Sequence, residues 1–303
     1  MTLRVLCEEP ALRQAVEAWF ADSQLRPSRD IELTLRLVKE PWSGEDRRRV
    51  LRQPDLAFHY GPPDDRLRLV WRGGEGHAVV SVETGAATVE IAERVASRPE
   101  VWLRPFLVLV VASQLRSAGW SHIHAATAVD PTGRGWLIAG DSNSGKSTTA
   151  ALLATRGWAV GTDDTAFVVD GTAPVEVVGW HEPLALREGG YRLLGRQGGH
   201  PLSRRQKTGF LPEELGGRWV PTVAPVIVAI ATIHDGATAL EPLRPALAVA
   251  DLLSWSLLFI VDPEGAQRHL ELVTRLAAQA RCFRLRLGRD IFDHPDLLSR
   301  LVP

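Results

Sequence analysis

The chain has 303 residues, 45% of them hydrophobic and 23% charged, with a formal net charge of -1. That length can bury a sizeable core in one large domain or two modest ones. The near-neutral balance supplies no global basic field, so nucleic acid is not an expected partner.

The first residues, MTLRVLCEEPALRQ, are broken by charges where a signal peptide would carry its apolar stretch. Two apolar runs, PFLVLVVA (105–112) and LLSWSLLFIV (252–261), are too short to cross a bilayer and read as buried helices. No membrane partner is expected. Cys7 and Cys282 form no metal or redox spacing and are expected to be reduced, in a cytoplasmic protein.

Along the chain, ALRQAVEAWFADS reads as a helix. IELTLRLV (31–38), RLRLVWR (66–72) and HAVVSVETGAATVEI (77–91) then alternate with period 2 between turn-rich stretches, as strands do. Residues 1–105 therefore form an expected strand-rich α+β module without a chemical motif. Packing, substrate recognition and homo-oligomer formation are the roles open to it. A helix at roughly 102–117 ends at Gly119, and a second domain, 106–303, follows.

In that domain SHIHAATAV (121–129) reads as a strand, WLIAG (136–140) as a second, STTAALLATR as a helix, and WAVGTDDTAFVVD (158–170) as two strand pieces around paired aspartates. The order strand, glycine loop, helix, strand is that of a βαβ unit in an α/β fold. Further on, VPTVAPVIVAIATI (220–233) reads as one buried strand. LRPALAVADLLSWSLLFIV and PEGAQRHLELVTRLAAQA read as helices, CFRLRLG as a strand and DHPDLLSRLV as a closing short helix.

The loop G-D-S-N-S-G-K-S-T (140–148) carries chemistry. Asn143 is the only asparagine of the chain, and Lys146 is one of three lysines among 35 basic residues. Gly140-x4-Gly145-Lys146-Ser147 satisfies the phosphate-loop (Walker A) pattern G-x-x-x-x-G-K-[ST]. Small residues let backbone N–H groups curl around a polyphosphate, and the following helix turns its positive end toward it. A lysine gives a compact charge on a thin stem, where the broad arginine fork would not thread the same ring of amides.

Gly140, Ser142, Asn143, Ser144, Gly145, Lys146, Ser147 and Thr148 are thus the expected phosphate contacts, with the Ser147 hydroxyl on Mg²⁺. Asn143 suits a left-handed backbone position better than a catalytic one. Asp163 and Asp164 follow Gly161-Thr162 at the end of a strand, where a Walker-B-type carboxylate sits. One carboxylate can hold Mg²⁺ while the other takes a proton. His122 and His124 share one strand face. Lys207, in S-R-R-Q-K-T-G beside Arg204 and Arg205, reads as a cation able to clamp phosphoryl charge.

The run IHAATAVDPTGRGWLIAGDSNSGKSTTAALLATRGWAVGTDD (123–164) resembles the HPr-serine kinase/phosphorylase family and its broader kinase-like relatives. The shared features are a His-small strand, a glycine turn, a strand into the GKST loop, a helix, R-G, a short strand and D-D. The family is similar in core fold to phosphoenolpyruvate carboxykinases. The resemblance implies a P-loop carboxykinase-like kinase core that binds ATP and Mg²⁺. It also implies that His124 lies near the transferred phosphate, that Asp163 deprotonates an acceptor serine, and that Asp164 lies by the metal.

The implied activity is transfer of the γ-phosphoryl group to a hydroxyl of a protein or peptide. A small-molecule hydroxyl kinase and a non-catalytic regulatory ATPase are the alternatives. The chain departs from the family beyond this run. GWHEPLALREGG (179–190) and LSRRQKTGFLPEEL (202–215) do not match the family's C-terminal signature, which leaves HPr itself and the reverse phosphorylase reaction without support.

Overall fold

The computed structural model describes residues 3–27, 30–44, 49–53, 55–59, 66–81, 83–171, 173–195, 198–202, 207–256, 263–294 and 297–300. They fall into two compact units, Met1–Ser121 with Leu258–Arg268, and His122–Leu257 with His269–Pro303. The fold is mixed α/β.

The first unit is built on seven strands: β1 (Leu3–Cys7), β2 (Ile31–Val38), β3 (Arg49–Gln53), β4 (Leu56–His59), β5 (Leu67–Trp71), β6 (Gly76–Val80) and β7 (Ala87–Ala92). They lie in the order β1-β2-β7-β6-β5-β4-β3. β1, β2 and β7 run parallel, and the strands from β7 to β3 pair antiparallel. Helix Pro10–Asp22 connects β1 to β2 and buries Leu12, Val16 and Phe20, four residues apart along one face.

A continuous helical stretch runs from Pro99 to Ala118 and ends where Gly119 turns left-handed (φ 80°). Its turn Leu103–Leu107 is a π-helix containing Pro105, which has no N–H to give to the regular ladder. Phe106 stacks on Trp71, and the Gln114 amide donates to the carbonyls of Glu32 (2.7 Å) and Gly85 (2.8 Å). These contacts tie the stretch to the strand-rich unit, so the division falls at Ser121/His122, later than the 105/106 read from sequence texture. By length and composition this helix could cross a membrane, but 67% of its apolar window is buried inside the fold.

The second unit contains β8 (Trp120–Val129), β9 (Gly135–Ala139), β10 (Ala159–Thr162), β11 (Thr165–Val169), β12 (Glu176–Gly179), β13 (Leu184–Arg187), β14 (His200–Leu202), β15 (Lys207–Phe210), β16 (Arg218–Trp219), β17 (Thr222–Val223), β18 (Pro225–Ile233), β19 (Ala239–Pro242) and β20 (Arg281–Leu287). The main sheet runs β17-β12-β11-β8-β9-β18-β20-β19, with β10 paired to β8 and β16. β9, β18 and β20 are parallel, and β8 is antiparallel to β9. A smaller antiparallel sheet is ordered β13-β15-β14.

Period-2 alternation along β9 sends Trp136 and Ile138 to one face and Leu137 and Ala139 to the other. The first face packs on helix Lys146–Ala154 through Ala150 and Leu153, with Trp158 beyond the helix in the same cluster. The second packs on helices Pro245–Ser254 and Pro263–Gln279 through Leu252, Leu272, Val273 and Leu276. Each fully buried aliphatic side chain contributes about 1.5–3 kcal/mol. The sheet is therefore fixed from both sides, and the loop after β9 projects from a rigid edge.

Two sequence expectations are corrected here. The helix read across 243–261 stops at Ser254: Trp255 leaves the helical path and its indole bonds to Asp141, while the Ser256 hydroxyl folds back to cap the Leu252 carbonyl; residues 257–262 lie outside the described ones. The single strand read across 220–233 is two. β17 pairs with β12, and after Ala224 the chain changes neighbour and β18 pairs with β9.

Candidate functional site

The loop between β9 and helix Lys146–Ala154 follows directly from its residue types. Asn143 has φ 69° and Gly145 has φ 93°, so the asparagine occupies the left-handed conformation its side chain tolerates. A Cβ at Gly145 would come within 2.7 Å of Leu287 Cδ1, so both the backbone angle and the space demand glycine. Gly145 caps the helix without a side-chain hydrogen bond. The first-turn N–H groups of such a helix have no intrahelical acceptor and face the loop's concavity.

Lys146 is 5% exposed, and its ammonium donates to the carbonyls of Gly140 (2.7 Å) and Asp141 (2.8 Å). Burial pulls it down to about 8, against the raising fields of Asp164, Asp163 and Asp141, while Lys207 pushes it the same way as burial. One buried cation thus sits among three carboxylates and a second cation. Ser144 is buried, with its hydroxyl making no hydrogen bond to protein. Ser142 is exposed, Ser147 and Thr148 are half-buried at the helix start, and Gly190 approaches the Thr148 hydroxyl.

His124 comes from β8, and its Nδ1 lies 2.7 Å from Asp164 Oδ1, with both side chains about one-third exposed. Asp163 is almost completely buried, and its Oδ2 accepts the backbone N–H of Ala185 at 3.1 Å, which ties β13 to the β10–β11 turn. The turn is closed by Thr162, whose hydroxyl accepts the N–H groups of Asp164 and Thr165. Gly161 before it must be glycine. A Cβ there would strike the Thr127 hydroxyl and lie 2.7 Å from the Val220 carbonyl. His122, on the same face of β8 as His124, is buried edge-on to Phe167. Burial, and secondarily the charge of His124, lower it to about 4 against the raising field of Asp164.

Lys207 opens β15 opposite Arg187 of β13, half-buried, and its field on Lys146 marks it as a neighbour of the loop. Arg204 and Arg205 lie outside the described residues. Trp255 was missed by the sequence reading, hidden in an apolar run taken as helix. Its indole N–H donates to Asp141 Oδ1 at 2.8 Å, and its carbonyl accepts the His124 N–H at 3.2 Å. No local pattern could announce it, since its partners are more than a hundred residues away.

No group of three or more His, Cys, Asp or Glu able to hold a metal by themselves occurs among the described residues. Mg²⁺ does not require one, because it is bound through one or two carboxylates together with substrate phosphates and water. Ser147 is half-buried and the Asp164 side chain is about one-third exposed, so neither is closed off from solvent. Compared with known families and with curated proteins, the chain matches no family model and no curated sequence.

Proposed function

We propose that the protein is an ATP- and Mg²⁺-dependent kinase that transfers the γ-phosphoryl group to a hydroxyl, with a serine of a protein or peptide as the favoured acceptor. One observation carries the reading. A buried lysine in a phosphate-loop sequence lies within the electrostatic reach of Asp163 and Asp164, and Asp164 is paired with His124. A P-loop carboxykinase-like core is the finer fold reading, supported by the motif order from β8 through β11 and by the resemblance of residues 123–164.

In this reading Lys146, the loop amides and the hydroxyls of Ser144 and Thr148 hold the phosphates. Ser147 and one carboxylate of the aspartate pair would hold Mg²⁺, which neutralises phosphate charge when bound. The acceptor oxygen bonds to the γ-phosphorus, the bond to the β–γ bridging oxygen breaks, ADP leaves, and the hydroxyl proton passes to a carboxylate. Accessibility favours Asp164, oriented by His124, for that proton. It favours a supporting role for the buried Asp163, the reverse of the order the resemblance implies. Lys207 would stabilise the charge of the moving phosphoryl.

Incubation of the full chain with γ-labelled ATP, Mg²⁺ and serine-bearing peptides or proteins tests this. Label on an acceptor hydroxyl is expected. Release of label only as free phosphate, across peptide, protein and small-alcohol acceptors, would sink the kinase reading in favour of a regulatory ATPase.

A further inference from the structure

A cavity of about 240 Å³ opens against the phosphate loop, and neither Asp163 nor Asp164 lines it. It is lined by Gly145, Thr148 and Leu152 from the loop and its helix and by Ile233, Leu287 and Ile291 from further along the chain. Ile233 is 65% exposed, the most exposed of the large hydrophobic side chains among the described residues. The cavity and the loop are continuous, since a Cβ on Gly145 would meet both Leu287 and Ile233.

We propose that this cavity is the nucleobase subsite of the nucleotide whose phosphates lie in the loop. The inference rests on the phosphate-binding reading above. Three observations carry it. First, Leu152, Ile233, Leu287 and Ile291 give an apolar lining, and Thr148, His234, Asp235 and Arg289 supply polar and charged groups, the mixture that small-ligand sites use. Second, sites for whole drug-sized ligands begin at about 300 Å³. A cavity of about 240 Å³ suits a base and part of its sugar, with the phosphates outside it in the loop.

Third, the sheet order separates the two reactants. β8, which bears His124, flanks β9 on one side, and β18, which ends at Ile233, flanks it on the other. Phosphoryl transfer needs the attacking and leaving oxygens roughly in line. A base held at the ends of β18 and β20 puts the leaving diphosphate on one side of the loop and the acceptor beside Asp164 on the other. The parallel strands β9, β18 and β20 all deliver their carboxyl ends to this edge, where ligands of such sheets bind.

The test is calorimetric titration of the full chain with Mg²⁺–ATP and, separately, with Mg²⁺–tripolyphosphate, which has the charges and no base. The wild-type chain is expected to bind ATP about tenfold or more tightly than tripolyphosphate. Ile233→Ser changes an exposed, uncharged position and is expected to weaken ATP about five- to tenfold while leaving tripolyphosphate unchanged. Equal affinity of the wild type for the two ligands, or equal loss of both in Ile233→Ser, overturns the base subsite and leaves the phosphate loop standing. Binding of neither ligand overturns the phosphate-loop reading and the base subsite with it.

Discussion

The Trp255 indole N–H donates to Asp141 Oδ1, and the Trp255 carbonyl accepts the His124 N–H, so one residue links the phosphate loop to the strand bearing the His124–Asp164 pair. The loop and the pair sit on different segments of chain, and the phosphoryl transfer proposed above would tolerate little error between them. Trp255→Phe keeps most of the ring and removes the donor. A loss of about 0.5–1.5 kcal/mol of unfolding free energy is expected, below the range for a hydrogen bond to a charged group because this one is exposed to solvent. ATP affinity should fall several-fold. Urea unfolding and nucleotide titration check the two parts, and an unchanged affinity would show that Asp141 needs no such anchor.

Lys146 gives a pH dependence with a defined sign. Buried, it titrates at about 8, and a polyphosphate beside it favours the charged form and raises that value. Binding therefore takes up a proton above pH 8, and affinity must fall as pH rises, approaching about tenfold per pH unit. Nucleotide titrations between pH 7 and pH 9.5 should show a flat limb and then this decline. Lys146→Met should bind weakly and lose the decline. The same shift makes the charged lysine a stability cost that is full below pH 8 and relieved as pH rises toward the unfolded value of 10.5.

His122 acts at the acid end. Its folded value of about 4 lies below the ordinary 6.5, so the unfolded chain binds the extra proton between them. Stability is full above pH 6.5 and falls as pH drops through that window, by about 3 kcal/mol from this group alone. His122→Phe should flatten that part of the acid limb in urea unfolding measured from pH 7 to pH 4.5. An unchanged limb would show that His122 is not buried neutral.

The two aspartates separate by substitution. Asp164→Asn keeps the shape and loses the proton acceptor, so turnover is expected to fall at least about a hundredfold with ATP affinity nearly kept. Asp163→Asn removes a buried charge near Lys146 and weakens the tether to Ala185, so it should lower thermal stability and ATP affinity first. Intact turnover in Asp164→Asn, with turnover abolished in Asp163→Asn, would restore the order of roles that the resemblance implies.

Much of this was legible in the chain itself. Local conformation can be read locally: the left-handed Asn143 and Gly145 of the 140–148 loop follow from residue types within nine consecutive positions. The alternation of β2, β8 and β9 likewise follows from which side chains a two-sided strand buries. Tertiary structure decided what depends on distant partners. It divided Asp163 from Asp164, because only the fold sets a backbone N–H of β13 against one and His124 against the other. It turned Trp255 out of an apolar run and placed Ile233 and Leu287, about fifty residues apart, on one wall beside Gly145. Sequence spacing specifies the contacts a residue makes within its own turn or strand, whereas exposure, field and long-range hydrogen bonds exist only once the sheets have packed.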